Sequence, residues 1–238
     1  MLPQYCSLRA MKRGVVTVLA LALVAGCGGS QAPVDPGLTL RDAATAMAKL
    51  STVSATLTFT KGAISFQGFT LVKAKTSVRL PGDSDTVYTV KQQDLAIGLE
   101  VVIVGGHVYL HVPFSTFQEL TGSEAATVPD LAKLFDPASG LPAVIPAGRN
   151  LKSVAAEKLD GVDVQRIDAT YTADQLHSMF AQLSSSVDVN AEIWVGASDH
   201  LIRKAVLDGA FGDGGKEASV EVDISGFNVT VNISPPTP

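Results

Sequence analysis

The chain has 238 residues, 46% of them hydrophobic, 6% aromatic and 17% charged, with 2 Cys and a formal net charge of −5. That apolar content excludes a disordered chain, two cysteines exclude a disulfide scaffold, and an acidic balance offers no basic footprint for nucleic acid. A mean hydropathy of +0.27 with so few aromatics places the apolar content in small aliphatic side chains.

Lys12 and Arg13 precede an apolar run from Val15 to Val24, followed by Ala25-Gly26-Cys27. A basic flank and a short apolar stretch read as a secretory signal over residues 1–26, too short for a transmembrane helix of about 20 apolar residues. Val24-Ala25-Gly26-Cys27 resembles the bacterial lipobox, in which a cysteine receives a diacylglyceryl group before the signal is cut. Met11 also opens a normal signal, so residues 1–10 read as an upstream start-site artefact. Acylation of Cys27 would hold the mature chain on the outer, periplasmic face of the plasma membrane, with the cell wall or surface as a second location.

Residues 27–37 have linker composition. Thr39 with Asp42 then reads as a capping box, and Leu40, Ala43, Ala44, Met47 and Leu50 share one helical face. From Ser51 to Pro113 the period changes to two, with turns at Pro81-Gly82-Asp83 and Gly105-Gly106. Phe114 to Gly148 is broken by proline, predicting short helices near Pro129, Pro137 and Pro142 that cover the sheet. Strands are expected again over Val162–Thr170, then a helix capped by Thr172 and Gln175, then four runs: Val189–Val195, Leu201–Leu207, Ser219–Ile224 and Val229–Ile233. Residues 38–233 thus read as one α+β domain, a curved antiparallel sheet with helices on one face, ending in a Pro-rich tail at 234–238.

Little in the chain suggests catalysis. His107 and His111 share a strand face about 13 Å apart, too far to ligate one metal, and His177 and His200 read as surface residues. No nucleophile elbow, zinc signature or phosphate loop occurs. No catalytic residue, metal or cofactor is assigned, and the chain does not read as an enzyme.

The lipobox, the helix Leu38-Thr39-Leu40-Arg41-Asp42-Ala43, the hairpin Val104-Gly105-Gly106-His107-Val108-Tyr109-Leu110, the segment Leu134-Phe135-Asp136-Pro137-Ala138-Ser139-Gly140-Leu141, and Ile193-Trp194-Val195 with Asp199-His200-Leu201-Ile202 together resemble the LppX/LprA/LprF/LprG lipoproteins of mycobacteria and relatives. The resemblance implies a half-barrel sheet wrapped around helices, similar to the LolA and LolB carriers, enclosing an apolar cavity. It further implies a monomer that binds di- or triacylated lipids or glycolipids and helps move them toward the outer membrane, with a membrane lipid transporter as a partner for some members.

The inward strand faces and the broken segment nominate Val101, Ile103, Leu110, Val112, Leu141, Val144, Ile145, Leu176, Met179 and Phe180 as cavity lining, with Cys27 as the site of lipid attachment. The alternative for each lining residue is an ordinary close-packed core. The chain would then be an anchored envelope sensor or adaptor with no cargo.

Overall fold

The computed structural model describes residues 34–66, 68–93, 95–179, 183 and 185–237. The signal, Cys27, most of the linker and Phe180 lie outside them.

Asp35 opens the first helix, α1 (Pro36–Met47), because its carboxylate accepts from the free N–H groups of Gly37 (2.8 Å) and Leu38 (3.2 Å), with Pro36 preset for a first turn. The helix therefore starts one turn before Thr39, whose hydroxyl donates to the Asp35 carbonyl instead of capping. Residues 35–37 belong to the fold and not to a linker. The expected apolar stripe is fully used, since Leu40, Ala43, Ala44, Met47 and Leu50 are all buried. Changing Asp35 to Ala should cost about 1 kcal/mol of stability through two orphaned amides. Thermal unfolding checks this, and an unchanged midpoint would leave α1 held by packing alone.

Twelve strands then form one antiparallel sheet: β1 (Thr52–Lys61), β2 (Ile64–Phe66), β3 (Phe69–Arg79), β4 (Asp83–Gln92), β5 (Leu95–Val104), β6 (His107–His111), β7 (Gln118–Leu120), β8 (Arg149–Leu159), β9 (Val162–Tyr171), β10 (Val189–Gly196), β11 (Ile202–Gly212) and β12 (Lys216–Ser225). Their spatial order is β7-β6-β5-β4-β3-β1-β12-β11-β10-β9-β8, with β2 paired to β3. The first long strand and the last thus pair at the centre and join two meanders. Gly105 and Gly106 both hold positive φ (59° and 83°), the geometry of a two-residue hairpin turn.

The strand registers bring one apolar row across the sheet: Ile167, Ile193, Ala205, Val222, Leu57, Ala74, Tyr88 and Leu99 are successive cross-strand partners. All these residues share one buried cluster with α1 and the proline-broken segment, Ala205 excepted. Ten strand spacings of about 4.8 Å would make a flat sheet nearly 50 Å wide. One 12-residue helix and a few short turns could not cover that width, so a single core requires the sheet to curve around them.

Three expectations fail for identifiable reasons. No helix starts at Pro137, where the Asp136 carboxylate accepts from the Ala138 and Ser139 amides and closes a turn. Val229–Ile233 is not a strand, because β12 already has β1 and β11 on its two sides and no free edge remains beside it. The segment is tied instead through side chains, with the Thr52 hydroxyl donating to the Val229 carbonyl (2.7 Å) and Asn228 accepting from Ser51. Strand β8 was not anticipated, since register shifts at Arg149/Lys152 and Ser153/Ala155 erase its alternation.

Candidate functional site

The inner face of the C-terminal meander and the proline-broken segment do not close completely. Between them lies a cavity of about 60 Å³ with a wholly apolar wall. The sheet contributes Leu57, Ala191, Ile193, Ile202, Ala205, Leu207, Val220, Val222 and Ile224, and the cover contributes Leu134, Leu141, Ile145, Leu176, Met179 and Leu183.

The cover is built from short pieces. A 3-10 turn spans Leu131–Phe135, a helix of one turn spans Leu141–Val144, and a second 3-10 turn spans Ile145–Ala147. Gly140 lies so close to the preceding turn that a Cβ there would sit 2.5 Å from the Leu134 carbonyl oxygen, which fixes that corner as glycine. Beside the segment, Ala173–Met179 forms a helix whose Thr172 and Gln175 exchange backbone bonds as expected, at 3.3 and 2.7 Å.

Two buried tyrosines bolt this cover to the sheet at its two ends. The Tyr88 hydroxyl donates to the Pro129 carbonyl at 2.6 Å, and the Tyr171 hydroxyl donates to the Ile145 carbonyl at 3.0 Å. Burial pushes both phenols upward from their ordinary pKa, Tyr88 additionally through the nearby Asp130 charge, so both remain protonated donors. Burial also raises Asp130, although its carboxylate accepts from the Ala132 amide and caps the 3-10 turn.

A second, open cleft of about 500 Å³ lies on the N-terminal meander. Phe69, Leu99, Leu110, Val112, Leu120 and Val128 form its apolar part, with Ser123, Glu124 and Thr127 on its rim.

Of the ten nominated lining residues, the structure brings Leu141, Ile145, Leu176 and Met179 together around the closed cavity. Leu110 and Val112 line the open cleft instead. Val101, Ile103 and Val144 are buried in the common core without facing either space, and Phe180 is outside the described residues. The nominated strand residues thus lie on the N-terminal meander, whereas the sheet side of this cavity comes mostly from the C-terminal one. Period two identifies an inward face but not which inward residues lie beneath the cover.

The polar residues considered for chemistry are dispersed. His107 contacts Glu119 at 2.7 Å, His111 contacts the Ser115 carbonyl at 3.1 Å, and no three His, Cys, Asp or Glu converge as metal ligands among the described residues. Trp194 lies among outward-facing polar residues, with Arg166 and Lys204 both within 6 Å of its ring centre and its N–H donated to Glu157. Its faces are taken by cations and do not offer a stacking platform. Among the described residues no helix is long and apolar enough to cross a membrane.

Residues 35–233 match the LppX_LprAFG lipoprotein family. The chain belongs to that family. Within it, the lipoarabinomannan carrier protein LprG of Mycolicibacterium smegmatis is 23% identical, with 93% of each chain covered. LprG of Mycobacteroides abscessus is 26% identical, over 93% of this chain and 94% of the relative. The crystal structure of LprF from Mycobacterium bovis superposes with a TM-score of 0.67 at 17% identity, covering 87% of this chain and all of the other. LppX from Mycobacterium tuberculosis gives 0.61 at 20% identity, covering 84% of this chain and all of the other. The curved open sheet with helices on one face is therefore the fold of the LppX_LprAFG lipoproteins.

Proposed function

We propose that this chain is a membrane-anchored lipoprotein that takes the acyl chains of di- or triacylated lipids or glycolipids under the segment 129–148 and assists their movement toward the outer membrane. Cys27 carries the anchor in this reading. The observation that carries it is the cavity wall, apolar throughout and closed on one side by a cover made of short helical pieces of three to five residues. Each methylene left in water costs about 0.8 kcal/mol, so shielding alone is enough to carry a lipid across an aqueous gap, and no catalytic step is invoked. The two LprG relatives are lipoarabinomannan carrier proteins, which supports the reading of a lipid or glycolipid cargo.

The cavity as it stands is too small for such cargo. A cavity of about 150 Å³ accommodates benzene, so 60 Å³ holds no acyl chain until the cover moves. Leu141, Ile145, Leu176 and Met179 would then separate from the sheet, and the open cleft with Leu110 and Val112 would extend the available space. The same small volume favours a second reading, an anchored sensor or adaptor with a filled core. Native mass spectrometry of the mature Cys27→Ala chain, purified from an actinobacterial host, separates the two. Acyl lipid carried into the spectrum is expected, and repeated recovery of empty protein with the host's own lipids would favour the adaptor.

A further inference from the structure

Phe114 is fully exposed, yet its backbone holds φ at 67°, a region that bulky side chains rarely adopt. Its loop is fixed. The Ser115 amide and hydroxyl both donate to the Val112 carbonyl, at 3.2 and 2.8 Å, His111 meets the Ser115 carbonyl, and the rings of His111 and Phe117 lie 5.0 Å apart. A built loop thus presents a large apolar ring to solvent, where strain is expected only if something else requires it.

The registers locate this ring. Gln92 pairs with Leu95, Thr70 with Lys91, Thr58 with Lys73, Lys61 with Ser219, Gly212 with Lys216, Asn190 with Asp208 and Val189 with Tyr171, so one edge of the sheet runs from the Phe114 loop to the start of β8. Along it Leu95 and Val112 are exposed, and Val112 also lines the mouth of the apolar cleft. Lys61, Lys73 and Lys91 are exposed there and form no ion pair among the described residues. The carboxylates along the same edge include Asp213, already accepting from Ser65, Asp188, paired with Arg149, Glu217, and Asp208, which lies two strands across from Lys61; Asp94 lies outside the described residues.

The chain enters the domain at this same edge. A side chain at Gly37, in the first turn of α1, would touch Leu151 near the start of β8, whereas β1 begins at the far edge with Thr52 opposite Arg79. Seven residue steps separate Cys27 from Val34 and span at most about 25 Å.

We infer that this edge is a docking surface for an anionic lipid bilayer, with the Phe114 ring inserted among the acyl chains and the lysines at the headgroups, so that the cleft opens onto the membrane. The tether argument rests on the acylated Cys27 of the proposed function, but the surface itself does not. Apolar insertion and neutralised headgroups act together, as in other two-signal membrane associations.

The mature Cys27→Ala chain should co-sediment with vesicles of equimolar dioleoylphosphatidylglycerol and dioleoylphosphatidylcholine, and less with phosphatidylcholine alone. Phe114→Gly should weaken binding about tenfold while melting no lower than the parent, because glycine relieves the strained φ. Phe114→Leu should retain most of the binding. The pair Lys73→Glu and Lys91→Glu should remove the preference for the anionic vesicles. No binding by the parent chain, or equal binding by Phe114→Gly, overturns the inference. Native mass spectrometry on the same samples keeps the two ideas apart: a chain that carries lipid but does not dock sinks this inference alone, and one that docks but arrives empty sinks the cargo reading alone.

Discussion

Replacing Ala205 with tryptophan is expected to lower acyl-lipid loading at least tenfold while the domain still folds. Ala205 stands in the middle of the cross-strand row, between Ile193 on β10 and Val222 on β12, and faces the cavity. With Ala191 it is the smallest side chain in that part of the wall, and it is only partly buried. An indole there occupies the 60 Å³ that exists and blocks the larger space that cover displacement would create. Overpacking costs about 1–3 kcal/mol, which lowers the unfolding midpoint without preventing folding. Val206, the next residue, points to the other face between Glu192 and Glu221, so Val206→Trp adds the same ring where it cannot affect cargo. Native mass spectrometry of the two variants beside the parent reads the difference. Equal loading of Ala205→Trp and the parent would show that cargo does not use this cavity.

Local signals in the sequence were followed faithfully where one residue satisfies a nearby backbone group. Gly105-Gly106 turns where two positive φ angles are needed, and Thr172 and Gln175 cap each other as their spacing requires. Asp35-Pro36 is a stronger helix start than Thr39, and its signal was available but assigned to the linker. The Asp160-Gly161 turn, with φ of 50° and 83°, could likewise have revealed β8, whose own alternation is hidden by two bulges. What local pattern could not supply was pairing. That β1 meets β12 depends on two segments more than 150 residues apart finding the same register, and this pairing decides which inward faces lie under the cover. Alternation alone points to β5, whose Val101 and Ile103 are buried but do not line this cavity. The Val229–Ile233 run shows the converse, a segment with strand composition that follows β12, a strand already paired on both sides.

The double change of Tyr88→Phe and Tyr171→Phe should free the cover. Each hydroxyl is removed from a buried site and leaves the Pro129 or Ile145 carbonyl without its donor, which costs about 1–3 kcal/mol apiece. The two bonds hold opposite ends of one segment and share no partner, so their costs should add. Opening of the cover separates these bonds while the sheet stays paired, and the loss falls on the opening equilibrium before it falls on global unfolding. At 1.4 kcal/mol per factor of ten, each hydroxyl should raise the open population by roughly five- to a hundredfold. Hydrogen exchange should therefore accelerate across residues 131–147 in both single variants and most in the double, with little change in β3, β4, β11 and β12. Lipid uptake from vesicles should accelerate in the same order, because a cavity of 60 Å³ admits no chain until the cover lifts. Uniform acceleration of exchange across cover and sheet would mean that the segment is an integral part of the core and that the two tyrosines stabilise the whole domain and not a gate. Faster exchange in the cover with unchanged uptake would instead place the entry of cargo at the open cleft beside Val112.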